Sequence, residues 1–119
     1  MTLLPRIRIP LSWVEWLGWR GLIHRPRFLC VDVSEAPLEG EIKPNLVYRE
    51  VRKSYPKWAH FVCPRCGEHI QVPIAASAEN WRISVDWLNR PTLAPSIWET
   101  ETCGAHFVVQ RGNLLWCSD

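Results

Sequence analysis

Residues 63–67, Cys-Pro-Arg-Cys-Gly, decide the fold. Two thiolates at C-x₂-C spacing converge on one metal ion, and the glycine that follows permits the tight turn beneath it. Forty residues on, Cys103-Gly-Ala-His106 supplies a second half at C-x₂-H spacing. Tetrahedral zinc takes four sulfur or nitrogen ligands, so Cys63, Cys66, Cys103 and His106 together predict a closed structural zinc site. A redox role for the C-x₂-C pair is disfavoured because no βαβ pattern surrounds it.

The end of the chain bears on the fourth ligand. Residues 106–117 read as a hairpin turning at Arg111-Gly112. A two-residue turn pairs Gln110 with Asn113, and counting outward sets His106 opposite Cys117 on one face. Either side chain could then close the metal site; the spacing favours His106. If Cys117 binds instead, His106 is freed for chemistry. The other face of the hairpin, Phe107, Val109, Leu114 and Trp116, reads as core.

Between and before these halves the pattern is β. Leu29, Val31 and Val33 alternate with Cys30 and Asp32, Leu46-Val47-Tyr48 follows a Pro-Asn breaker, and Ile70, Val72 and Ile74 alternate with polar residues. Over 81–87, Trp81, Ile83, Val85 and Trp87 share a face and leave Asp86 on the other. Pro91 and Pro95 predict an extended loop over 88–97. Residues 1–27 differ. Ser12 and Glu15 have capping-box spacing, and a short amphipathic helix is expected from about residue 13 to 23, with Trp13, Trp16, Trp19 and Leu17 on a broad apolar side. The expected architecture is a mostly β small single domain of short antiparallel strands built on a zinc knuckle. It divides into a basic, Trp-rich segment, 1–27, and a zinc-stabilised β domain, 28–119.

Composition narrows the function. The 119 residues are 47% apolar and 22% charged, which suits one core and not two. No run of about 18 apolar residues is present, so a spanning helix is excluded and membrane association is not expected. Residues 1–30 carry five arginines against one glutamate, a net +4, and residues 31–119 carry nine basic against eleven acidic residues, a net −2. That distribution places electrostatic docking at the amino end and argues against nucleic acid as the partner. The start lacks the apolar stretch of a secretory signal, and five closely spaced cysteines point to metal before disulfide, so a reducing, cytoplasmic setting is expected.

The ordered set AHFVCPRCG (59–67), Trp81, PTLAPSI (91–97), CGAHF (103–107) and RGNLLWC (111–117) resembles a bacterial zinc-knuckle family encoded in ubiquitin-like conjugation operons, beside E1-like, E2-like and ubiquitin-like proteins. The resemblance covers about residues 28–117. It departs from the family pattern at Gly104-Ala105, where a serine usually precedes the histidine, and in having two knuckle cysteines where many members have three. It implies partners in the pathway, the ubiquitin-like protein or its E1/E2-like enzymes. It also carries over Ser96, His60 and Asp86 as a candidate nucleophile, base and acid beside the metal-spaced His106. A serine hydroxyl becomes a nucleophile only when a base takes its proton and a third group orients that base. The function this implies is a serine-type peptidase that processes or deconjugates the ubiquitin-like protein. The alternative is a non-catalytic zinc module that docks the same proteins.

Overall fold

The computed structural model describes residues 10–21, 26–77, 79–100 and 102–117. One helix, α1 (Leu11–Trp19), precedes eight strands: β1 (Leu29–Val33), β2 (Leu46–Arg52), β3 (Tyr55–Val62), β4 (His69–Pro73), β5 (Arg82–Val85), β6 (Pro91–Trp98), β7 (His106–Gln110) and β8 (Asn113–Trp116). They form two four-stranded sheets, β1-β2-β3-β4 and β5-β6-β7-β8. Every pairing is antiparallel except β1 with β2, which run parallel across the 34–45 connection.

Alternation of side chains turns one face of each sheet inward. Ala59, Phe61, Ile70 and Val72 from the first sheet meet Leu93, Ile97, Phe107 and Val109 from the second in one buried cluster. Phe61 makes edge contacts with Phe28 and Phe107, which knits the layers together. Leu114 packs against this cluster as expected, whereas Trp116 stays about half exposed at the rim.

Two tight turns set the register. Arg52 pairs with Tyr55 around Lys53 and Ser54, and Gln110 pairs with Asn113 around Arg111 and Gly112. All four turn residues have positive φ, the requirement of a type I′ hairpin. At Gly112 there is a second requirement: a Cβ there would lie 2.5 Å from the Phe28 carbonyl oxygen. That closeness lets the Gly112 carbonyl accept from Phe28 N–H and its N–H donate to Pro91, clasping the start of β1 to the second sheet.

Three expectations need correction. The 88–97 stretch is not a loop: from Pro91 it is β6, the second strand of its sheet. The prolines are tolerated because one opens the strand and the other lies in a bulge, where no ladder donor is lost. The strand expected over 81–87 stops at Val85, because Asp86 folds the chain back by accepting from the backbone N–H groups of Leu88 and Arg90; Trp87 is consequently exposed. The helix begins at Leu11 with Pro10 as its N-cap, and no side chain caps it. Ser12 therefore lies inside the first turn, where it cannot form the capping box. The expected end of the helix near residue 23 falls outside the described residues. Val14 is fully buried with Leu29 and Leu88, supported by Leu11, Leu17 and Leu46. Trp13, Trp16 and Trp19 face solvent.

Candidate active site and metal centre

The same alternation that sends Leu93 and Ile97 into the core turns Ser96 and Trp98 to the outer face of the second sheet. Trp98 pairs directly with His106 on β7, so the two rings share that face, stacked with centroids 4.7 Å apart and planes 10° apart. The pair lies at a position where β6 and β7 do not exchange backbone hydrogen bonds, since the His106 carbonyl accepts from Cys117, just past the end of β8; side chains come closest at such positions. Ser96 sits two residues before Trp98, diagonal to His106. Its Oγ is 2.9 Å from His106 Nε2.

A bulge presents the serine. Between the pairs Leu93–Val109 and Ile97–Phe107, β6 carries three residues and β7 one. Two residues are therefore in excess, and Ala94-Pro95-Ser96 bow away from β7, a device that re-aims side chains beside functional sites. The bow is held from the side by Trp81, whose indole Nε1–H donates to the Ser96 carbonyl at 3.3 Å.

His60 lies elsewhere. Its neighbours Ala59 and Phe61 point into the core, so its ring projects from the outer face of the first sheet, on the far side of the sandwich from Ser96. It is nevertheless almost wholly buried. Nε2 lies 3.1 Å from Glu50 Oε1 and Nδ1 lies 3.0 Å from His69 Nε2, so both ring nitrogens are engaged. Glu50 is itself buried and also pairs with Arg52 at 3.0 Å. Desolvation and the neighbouring His60 hold the His69 imidazole below its ordinary value, against a smaller upward pull from Glu39. Asp86 is likewise occupied: its carboxylate accepts from Arg90 Nε at 2.7 Å as well as from the two backbone groups of its turn. It adjoins the Val85–Pro91 pair at the start of β6, some five strand positions from Ser96, on the order of 15 Å.

The sulfur ligands do come together. The sulfurs of Cys63, Cys66 and Cys103 lie within 4.8 Å of one another, with Cys63 and Cys103 3.6 Å apart. Sulfurs 2.3 Å from a tetrahedral zinc would stand about 3.8 Å apart, so the donor set fits such an ion. The thiols respond to their crowding in opposite directions. The Ala105 backbone N–H holds Cys103 down. At Cys66 the Glu68 N–H also acts to lower the group, but desolvation and the sulfurs of Cys103 and Cys63 outweigh it and push the thiol up to about 11. Three thiolates cannot share this space without a cation to neutralise them. His106 and Cys117 are not part of the cluster. Gly104, at φ 74°, turns the chain between Cys103 and β7, so the cysteine reaches the knuckle while His106 comes out on the opposite side, against Ser96.

Sequence reasoning did not single out Trp98 or Glu50. Trp98 could have been found from its spacing, two residues after Ser96 on a strand. Glu50 gives no such signal, because a glutamate in an alternating strand reads as solvent-facing.

A family model described as the bacterial ubiquitination-like system serine protease, BubE, matches residues 33–117. No curated protein and no solved structure matches the chain. The matched span runs from the end of β1 past the end of β8 and includes the Ser96–His106 pair and all three clustered cysteines. It covers well over half of the sequence, and the chain belongs to the BubE family of bacterial ubiquitination-like system serine proteases.

Proposed function

We propose that the protein is a zinc-stabilised serine peptidase that processes or deconjugates the ubiquitin-like protein of its pathway, with Ser96 as nucleophile and His106 as general base. The observation that carries this reading is the 2.9 Å contact between Ser96 Oγ and His106 Nε2, the distance at which a base can take a hydroxyl proton. His106 removes that proton as Oγ attacks the scissile carbonyl carbon, and then delivers it to the departing amine. In the second half it takes a proton from water, which attacks the acyl carbon and releases Ser96 with its proton restored. Trp98 fixes the plane of the imidazole by stacking on it. His60 and Asp86, committed to other partners, take no part in the chemistry.

Cys63, Cys66 and Cys103 would hold the zinc ion, which would supply a crosslink between the β3–β4 turn and the segment leading into β7. Its role is structural in this reading, because three thiolates more than neutralise the ion's charge and weaken it as a Lewis acid.

The test uses a fluorophosphonate probe, which labels an activated serine, alongside the operon's ubiquitin-like protein fused through its carboxyl terminus to a carrier. Wild type should be labelled at Ser96 and should cleave the fusion; Ser96→Ala should do neither while keeping its melting temperature. A wild-type protein that binds the fusion but is neither labelled nor active would replace the peptidase with a docking module.

A further inference from the structure

Between β4 and the second half of β6 the two sheets leave a gap that ends at Ile97, Trp98 and Glu99, one residue short of Ser96, and among the described residues both of its walls offer backbone groups that meet no other backbone group. One wall is β4, the last strand of its sheet. Backbone groups along a strand alternate sides. The Ile74 N–H donates toward β3, to Lys57, while the Pro73 carbonyl accepts from Trp81 on the opposite side. By that alternation Ile70 and Val72 bond to β3, and His69 and Gln71 direct their N–H and C=O groups outward. Among the described residues no other backbone group meets those of Gln71.

The other wall is the second half of β6. Short β5 covers only the first half, from Pro91 to Ala94. Glu99 exchanges backbone bonds with Gly104 and Ala105 toward β7, whereas the Ser96 carbonyl points the other way, to Trp81. The N–H and C=O of Trp98 therefore also face the gap. Between the walls lies a groove of about 530 Å³, bounded by β4, Trp81, Ile97, Trp98 and Glu99. Trp81 ties its two sides together, bonding Pro73 through its backbone and Ser96 through its indole.

We propose that this groove takes an extended polypeptide segment of the substrate, added as a further strand to the edge of β4 through the N–H and C=O of Gln71, and led past Trp98 to Ser96. An unpaired strand edge facing the strand that carries the nucleophile matches the backbone of an extended chain regardless of sequence. The inference rests on the peptidase reading for its cleavage but not for its binding. A flexible carboxyl-terminal tail is the form of substrate that can enter; a folded surface cannot.

The deciding variant is Gln71→Pro, which deletes only the outward N–H, because on an edge strand a proline at an outward-facing position removes no ladder bond. It should lower kcat/KM for the carboxyl-terminal fusion about tenfold, the loss expected for one or two backbone hydrogen bonds. Fluorophosphonate labelling of Ser96 and the melting temperature should be unchanged, and Gln71→Ala, which keeps the outward N–H, should lose far less kcat/KM than Gln71→Pro. Wild-type kcat/KM in a folded Gln71→Pro protein overturns the proposal. A second measurement needs neither that variant nor catalysis: amide hydrogen exchange on the full chain carrying Ser96→Ala, with and without a synthetic peptide of the ubiquitin-like protein's tail. The Gln71 amide should exchange more slowly with the peptide present. An unchanged Gln71 amide at saturating peptide also overturns the proposal. If wild type is catalytically silent but Gln71 is protected, the groove stands and the peptidase reading falls.

Discussion

The Trp98 indole lies flat against the His106 imidazole, and the two residues are direct cross-strand partners. The stack leaves Trp98 about half exposed, so its burial contributes little to stability. Trp98→Ala should accordingly change the melting temperature only slightly and lower kcat by about tenfold or more, because the base loses its fixed orientation. Trp98→Phe should recover most of the loss. Steady-state cleavage of the carboxyl-terminal fusion, paired with thermal melts, measures both effects.

Elemental analysis should find about one zinc per chain, and Cys63→Ser or Cys103→Ser should lose both metal and cooperative unfolding, since binding energy at such a site is also folding energy. His106→Ala should keep the metal and lose activity. A metal-free His106→Ala protein would return that histidine to the ligand set.

The buried Glu50–His60 pair predicts a large stability effect with no specific catalytic signature. Truncating His60 leaves Glu50 Oε1 without its buried partner while Oε2 keeps Arg52, and His60→Ala should cost about 1–3 kcal/mol in urea unfolding. The folded variant should still be labelled at Ser96.

His69 predicts a pH dependence. Its folded-state value lies below 6.5, chiefly through desolvation, so between that depressed value and 6.5 the unfolded chain binds a proton that the folded chain does not. Stability is fully present above 6.5 and falls as the pH drops through this window. His69→Gln should flatten that part of the profile, read as the denaturant midpoint across pH 4.5–7.5.

Val14 is fully buried between the helix and the β domain. Val14→Ala should cost about 1–3 kcal/mol, whereas Trp13→Ser on the solvent side should stay within about 0.5 kcal/mol. Chemical denaturation of the two variants distinguishes a helix that belongs to the core from one held only by its own chain.

The sequence was most readable where period and spacing act locally. The alternation in 29–33 and 70–74, the Arg111-Gly112 turn and the convergence of Cys63, Cys66 and Cys103 all follow from neighbours a few residues apart. Reading failed where a remote partner decided the outcome. Pro91 and Pro95 hid β6 because local propensity cannot show that one proline opens a strand and the other occupies a bulge. The capping-box spacing of Ser12 and Glu15 was misleading because Pro10 starts the helix two residues early. Ser96 was identifiable as a presented hydroxyl, but which histidine faces it depends on strand parity: Ala59 and Phe61 commit His60 to one exterior face, and Phe107 commits His106 to the other.

The clasp at Gly112 joins Phe28 to a residue 84 positions later in the chain. Most other pairings are hairpins or near neighbours, with short loops to close. Loop closure over so long a span is entropically expensive and comes late, after the local hairpins have formed. The first strand and the helix resting on Leu29 are thus the final pieces to dock and the first to come away when the molecule opens partially. Proteolytic nicking under native conditions should accordingly begin at the amino end, leaving the β2–β8 body behind as the slower-cleaved fragment.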